Sequence, residues 1–406
     1  MGNTLGLYLH IPFCRSKCDY CDFYSLAGRD DRMDDYQKAL LQHIAETAPH
    51  ARKQVVNSVY IGGGTPTWYG EKRLLELLSA VRKRFSLSKD VEITLEANPD
   101  SVDLKLLRRL RRAGVNRLSM GMQSACDSEL VSVHRPHTHA QTEAAVKAAR
   151  GAKIKNLNLD LIYGLPGQTD RSWRESVEAA LVLCPEHLSC YGLTVEEGTP
   201  LAQRVARGER LPDDDEQAER YLWTVQRLAE AGYEQYEVSN FSKTGYQSRH
   251  NLKYWMSRPY IGLGAASHSD FGGCRYSFIP DIEGYIRGVL DSGERILDEM
   301  TEIPQRERGS EYIMLRMRTT HGIEEWEYRR EYYMNFDPIA AKLAEYEQKG
   351  WAVRTGRRWH FTPEGFLLSN RLIGELLELQ EVETLANTLE KIRGGQFPRQ
   401  DARGRT

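Results

Sequence analysis

Strand-like runs punctuate the first half of the chain: Gly6–Ile11, Ser58–Ile61, Val91–Ala97, Arg117–Met122, Asn156–Ile162 and His187–Leu193. Between them lie amphipathic stretches, Met33 to Ala51, Glu71 to Phe85, Val102 to Ala113, His139 to Ala152 and Ser172 to Leu183. The second of these sets Leu74, Leu75, Leu77, Leu78 and Val81 at helical spacing. Strands separated by helices predict a parallel sheet with βαβ crossovers. The natural closure is an open, TIM-like partial (β/α)6 barrel, an α/β fold whose sites gather at the C-terminal ends of its strands.

After this region, Asp213-Asp-Asp-Glu216 places acids at the positive end of a helix expected to run to about Ala231 and stop at Gly232. From about Thr301 the pattern changes. Helices over Ile303–Met317, Ile323–Tyr333 and Ile339–Gln348 precede two short strands, Trp351–Arg354 and Arg358–Phe361, around a Thr355-Gly356 turn. A further helix covers Thr362–Leu377. Helices followed by a β-wing predict a small α+β, winged-helix-like domain. The expected organisation is a barrel over 1–235, a barrel-capping segment over 236–300, the helical domain over 301–393 and a polar, disordered tail over 394–406.

Composition narrows the class. The 406 residues carry a formal net charge of −2, which gives no reason to expect a nucleic-acid partner. No window approaches about 18 consecutive apolar residues, so no membrane span is expected. The chain enters a strand-like run at Leu5 without a basic segment or apolar leader, which argues against secretion. Seven cysteines, an odd number, fit a reducing cytoplasm better than a disulfide scaffold.

Three of those cysteines, Cys14, Cys18 and Cys21, fall within eight residues at C-x3-C-x2-C spacing. A [4Fe–4S] cluster held by three thiolates leaves one iron open to another ligand. A structural zinc site would want a fourth ligand, for which His10 is the nearest candidate. Chance clustering is the third alternative.

Other candidates sit at predicted strand ends. Gly62-Gly63-Gly64-Thr65-Pro66-Thr67 lacks the Gly-Lys-Ser/Thr ending of a P-loop. It reads equally as a flexible turn or as backbone that approaches a ligand closely. Glu96 and Gln123 each end a strand, and Arg135 follows in His134-Arg-Pro-His137-Thr-His139. The Arg135 fork matches a carboxylate, and the Gln123 amide both donates and accepts. His134, His137 and His139 resemble a metal cluster in composition, but surface histidines or hydrogen-bonding groups fit them better. Asp160 stands in an apolar strand, where a carboxylate needs a partner. His250-Asn-Leu-Lys-Tyr-Trp255 sets a histidine beside two aromatics, as an axial heme ligand or as a hydrogen-bonding residue of a capping loop.

The cysteine loop resembles that of the radical S-adenosylmethionine (SAM) superfamily. The longer string Leu7-Tyr-Leu-His-Ile-Pro-Phe-Cys14 resembles the group that contains the oxygen-independent coproporphyrinogen III dehydrogenases and the HemW heme chaperones. In the dehydrogenases a further cysteine follows two residues after the third; here Phe23 stands there, which favours the chaperones. The resemblance implies a [4Fe–4S] cluster on the three cysteines and SAM held by Tyr8, Tyr20, Gly63, Gly64, Thr65, Glu96, Gln123, Arg135 and Asp160. Within it, the glycine turn meets the SAM amino group, Arg135 the carboxylate, Asp160 the ribose and Tyr20 the adenine. Core filling is the plain reading of both tyrosines. One departure is that Val133-His134 replaces the Leu-Gly pair that usually precedes the arginine. The HNxxYW string resembles the chaperones' heme-binding motif, which makes His250 a heme contact. The implied partners are heme and acceptor hemoproteins, with respiratory-chain recipients, peripheral contact with membrane proteins and a monomer–dimer equilibrium among the expectations. The alternative activity is radical oxidation of a porphyrin(ogen), by decarboxylation or ring opening.

Overall fold

In the computed structural model, which describes residues 4–291 and 295–382, all the expected barrel strands form and lie side by side. They are β1 (Thr4–Ile11), β2 (Val55–Gly63), β3 (Leu87–Ala97), β4 (Arg117–Gln123), β5 (Asn156–Tyr163) and β6 (His187–Gly192). Each pairs with the next in parallel register, so every C-terminal end points the same way. The crossovers carry α1 (Met33–Thr47), α2 (Glu71–Arg84), α3 (Leu104–Arg112), α4 (His139–Gly151) and α5 (Asp170–Val182). α6 (Asp214–Glu230) starts at a reciprocal cap between Asp213 and Glu216, which satisfies two otherwise orphaned N–H groups.

Strand alternation sorts the side chains. Leu7 and Leu9 of β1, Val59 and Ile61 of β2, and Leu157 and Leu159 of β5 are buried in one apolar core with the helices. The residues between them are mostly polar: Tyr60 on β2, Glu96 on β3, Ser119 on β4, Asp160 on β5 and Ser189 on β6 line an internal cavity. The barrel wall is therefore held by its outer layer.

Residues 236–300 do more than cover the barrel. After the short strands β7 (Glu234–Gln235) and β8 (Asn240–Ser242), β9 (Tyr260–Leu263) joins the free edge of β1 as a seventh parallel strand. The antiparallel strands β10 (His268–Phe271), β11 (Cys274–Phe278) and β12 (Leu297–Glu302) extend the sheet beyond it. The full order is β12-β11-β10-β9-β1-β2-β3-β4-β5-β6-β8-β7. Only a long crossover can bring β9 parallel to β1, and no local pattern announces so distant a partner. Between β8 and β9, α7 (Arg249–Trp255) carries the HNxxYW string.

The chain divides into two units, 1–302 and 303–406. In the second, helices Gln305–Arg316, Glu325–Tyr332 and Asp337–Gln348 precede the hairpin of Ala352–Thr355 and Arg358–Phe361. Ile323–Glu324 adds a third strand to that hairpin. Leu343, Tyr346, Phe361, Phe366 and Leu372 are buried here. The expected tail, 394–406, lies outside the described residues.

Leu7 is fully buried in the outer face of β1, between two parallel neighbours. Leu7→Ala should lower unfolding free energy by about 3 kcal/mol through lost burial and the cavity it leaves, read as a lower urea midpoint at unchanged slope.

Candidate functional site

The cysteine loop leaves the C-terminal end of β1 and is pinned at its base. Phe13–Cys14 pairs with Leu26–Ala27, and Phe13 stacks on Tyr69 with ring centroids 5.4 Å apart. Inside the loop the buried Asp19 accepts from Arg204 Nη1 at 2.6 Å and lies 2.8 Å from His134 Nδ1. These ties fix a segment that would otherwise be free to reorder. Cys14 and Cys18 are buried, Cys21 is partly exposed, and all three line the cavity. Burial pushes the Cys14 and Cys21 thiols up. At Cys14 a donor opposes this, Thr65 Oγ1, which donates to Sγ at 3.6 Å; Arg135 Nη1 donates to Cys18 Sγ at 3.4 Å. Among the described residues, no three His, Cys, Asp or Glu side chains converge on one metal ion. A cluster offers each thiolate its own iron, so its sulfurs need not meet at a point. The three cysteines of one pinned loop fit that kind of group.

The glycine turn packs under the loop. Gly64 N donates to Ile11 O and Thr65 N to Phe13 O, which ties β2 to the loop backbone. At Gly64 a Cβ would lie 2.7 Å from Phe13 O and 3.0 Å from Cys14 Sγ. At Gly63, with φ 115°, it would strike the His10 ring at 2.5 Å. Both positions require glycine for close approach. Glu96 accepts from Tyr60 Oη at 2.7 Å and from Gly63 N at 3.0 Å. Burial outweighs those bonds and raises its carboxyl to about 7.

Arg135 threads the far wall. Its Nη2 donates to Asn98 Oδ1 and to Gly121 O, both at 2.9 Å, while its Nε is buried without a partner. Gly121 makes room for it, since a Cβ there would fall 2.7 Å from Nη2. Gln123, at φ 63°, leaves its buried Oε1 unpartnered. Asp160 accepts from Asn158 Nδ2 at 2.8 Å, and burial raises its carboxyl. Tyr20 lines the same cavity, of about 510 Å³, and burial raises its phenol.

Thus Cys14, Cys18, Cys21, Tyr20, Gly63, Gly64, Thr65, Glu96, Gln123, Arg135 and Asp160 come together on one cavity. Tyr8 and His250 are not among its lining residues. Tyr8 donates to His10 Nδ1 at 3.0 Å and packs 6.5 Å from the His250 ring. His250 is fully buried, 3.0 Å from Ser58 Oγ through Nδ1 and 2.9 Å from Tyr254 Oη through Nε2. Burial lowers its imidazole to about 3, so it stays neutral. The three clustered histidines separate. His134 is exposed beside Asp19, the buried His137 faces Met122 O, and His139 opens α4. Sequence reasoning missed Asn98, Arg117 and Asn251. Asn98 was within reach, two residues after Glu96.

Two outcomes follow from this geometry. Gly64→Ala should displace Cys14 and cut the iron retained after anaerobic reconstitution at least several-fold, measured as iron per chain. For Glu96, the folded carboxyl lies near 7 against an ordinary 4.5. The neutral acid therefore suits the folded state below about pH 4.5. As pH rises from there through 7 the unfolded chain gives up its proton first, and stability falls by up to ~3 kcal/mol. Glu96→Gln should flatten that slope in urea unfolding of the metal-free protein between about pH 4.5 and pH 8.

Comparison with known proteins places this geometry. Residues 8–180 match the family model of the radical SAM superfamily, and 303–368 that of the HemN C-terminal domain. Coproporphyrinogen III oxidase (HemN) from Escherichia coli, a radical SAM enzyme, shares the fold at TM-score 0.81. The alignment covers 93% of this chain and 90% of that one at 24% identity. Heme chaperone HemW of Bacillus subtilis (strain 168) is 34% identical over 91% of this chain and 98% of its own length. Heme chaperone HemW of Escherichia coli (strain K12) is 35% identical over 91% and 97%. With such likeness along nearly the whole of both relatives, the chain belongs to the HemW heme chaperone family of radical SAM proteins.

Proposed function

We propose that the chain binds heme and passes it to acceptor hemoproteins, carrying a [4Fe–4S] cluster on Cys14, Cys18 and Cys21 and an exchangeable SAM. The observation that carries the reading is the convergence of the three thiols, the glycine turn and Arg135 on one cavity at the strand ends. The full-length likeness to proteins named heme chaperones supports the heme half. When bound, the cluster supplies an iron open to an outside ligand, and electrons for it.

The chain's own groups do the holding. Thr65 donates to Cys14 Sγ and favours its charged form, and Arg135 donates to Cys18 Sγ. The Gly63–Thr65 backbone lets the SAM amino group approach, and the buried Arg135 Nε is left to meet its carboxylate. Tyr20 faces the adenine, while Asp160, oriented by Asn158, faces the ribose. Glu96 and Gln123 complete the polar wall. Tyr8 acts at one remove, through His10.

Heme ligation by His250 requires Tyr254 Oη to leave Nε2, since that nitrogen is already engaged. The recipients in this reading are respiratory-chain hemoproteins, met from the cytoplasm at the surface of membrane proteins, with the chaperone in a monomer–dimer equilibrium. All seven cysteines are unpaired, which suits a reducing compartment. A second reading, radical oxidation of a porphyrin(ogen), draws on the cavity beneath the loop, which has room for a guest. Phe23 weighs against the coproporphyrinogen III dehydrogenase form of it. It is 71% exposed at the cavity rim, where the dehydrogenases carry a further cysteine.

The test is anaerobic reconstitution with iron and sulfide, then heme titration with and without SAM. A stoichiometric Soret shift is expected. It should survive Cys14→Ser, because heme uptake and the cluster are separable, and weaken in His250→Ala. No shift, together with SAM cleavage and porphyrinogen turnover under reduction, would replace the chaperone by the oxidoreductase.

A further inference from the structure

Deep in the same cavity lies a cation that neither the cluster nor SAM accounts for. Arg117 opens β4 and is 1% exposed, yet among the described residues its Nε and Nη1 meet no hydrogen-bond partner. Among the described residues no carboxylate lies within ion-pair distance of it. The acids that share this lumen are hydrogen-bonded elsewhere and meet Arg117 only through space: Glu96 accepts from Tyr60 and Gly63, Asp160 from Asn158, and Glu92 from Arg249 N and His250 N. Burying an unpaired guanidinium is costly enough that such groups normally have a counter-charge.

The opposing group comes from the HNxxYW helix. His250 is locked to Ser58 and Tyr254, but its neighbour Asn251 lines the cavity, and its carboxamide makes no hydrogen bond among the described residues. Arg117 is the register partner of Thr94 on β3, two residues from Glu92, which accepts from Arg249 N and His250 N at the first turn of α7, so the strand that carries it starts beside that turn. Gln123, at the mouth, is six residues further along β4, or about 20 Å of strand at ~3.3 Å per residue. Arg117 thus roots at the opposite end of the lumen from Arg135 and Cys18.

We propose that this floor is a second anion subsite, in which Arg117 and Asn251 grip a carboxylate of the molecule occupying the barrel. The guanidinium fork takes both oxygens of a carboxylate, and the Asn251 amide adds a donor. The carboxylate comes either from a porphyrin propionate or from a small free acid. The first source rests on the heme reading above; the second does not.

The reconstituted protein is titrated with heme and with heme dimethyl ester, and malonate is tested by thermal shift. Each probe is applied to the parent, Arg117→Gln, Arg117→Lys and Asn251→Ala. A propionate source gives heme binding at least tenfold tighter than the ester in the parent. Arg117→Gln then brings heme to the level of the ester and leaves the ester unchanged, with Asn251→Ala and Arg117→Lys between. A free-acid source gives malonate stabilisation of the parent that Arg117→Gln abolishes, with heme and ester alike. If neither porphyrin shifts the Soret band in the parent while malonate still acts through Arg117, the heme reading fails and the subsite stands. Should Arg117→Gln not fold, the comparison is carried by Arg117→Lys and Asn251→Ala. Equal response of parent and variants to all three probes overturns the proposal.

Discussion

The structure depends on one constraint: the parallel strands turn polar side chains inward. A (β/α)8 barrel usually fills its interior with branched apolar residues. Here Tyr60, Glu96, Arg117, Ser119, Asn158 and Asp160 face a cavity instead. The hydrophobic work falls to the outer faces, where Leu7, Ile61, Leu95, Met120 and Leu159 pack in one core with the helices. Every inward polar group must then find a partner or remain available. His187 finds two, Asn158 Oδ1 at 2.6 Å and Tyr236 Oη at 2.7 Å, and is a fixed neutral strut. Glu96 and Asp160 find partial ones. Among the described residues Arg117 Nε, Arg135 Nε and Gln123 Oε1 find none, and these unpaired groups of the cavity wall remain open to a guest.

The floor of the lumen depends on the same rule. Glu92, inward on β3, accepts from Arg249 N and His250 N at the first turn of α7. Gly6 on β1 leaves the space for this helix: a Cβ there would come within 2.6 Å of Lys253 and 3.2 Å of the His250 ring. The HNxxYW string therefore divides its labour. His250 and Tyr254 stitch the helix to the barrel, while Asn251 presents a free amide to the cavity.

Much of this was legible in the sequence because it is local. The strand from Arg117, the glycine turn after Ile61 and the Asp213–Glu216 cap each declare themselves within a few residues, and each appears in place. The seventh parallel strand, Tyr260–Leu263, did not, because its partner β1 is some 250 residues away in the chain and nothing around Gly262 specifies it. The direction of a side chain was likewise under-read. Arg117-Leu-Ser-Met-Gly121 alternates polar or small with apolar residues, so whichever face takes Ser119 and Gly121 also takes Arg117; Gln123 reaches the same cavity only past a bulge, at φ 63°. Sites in such barrels cluster at the C-terminal ends of strands, and a residue at the start of one, such as Arg117, carries no such signal. His250 was singled out for its chemistry; it is fully buried and hydrogen-bonded through both ring nitrogens, so heme ligation there needs Tyr254 to move.

Charge along the lumen gives the arrangement a direction. Arg135 stands at the mouth beside Cys18, Arg117 at the floor, and both are permanent cations. Burial raises the Glu96 carboxyl to about 7 and the Asp160 carboxyl as well, which weakens the negative charge between them. A cavity with a fixed cation at each end, and acids between whose carboxyls burial raises, favours negative charge at both ends: thiolates at the mouth, a carboxylate at the floor. Its walls, with Tyr20 and Tyr60, suit a flat or apolar body between. The same inward polarity that denies the barrel a packed interior thus selects the class of molecule able to fill it.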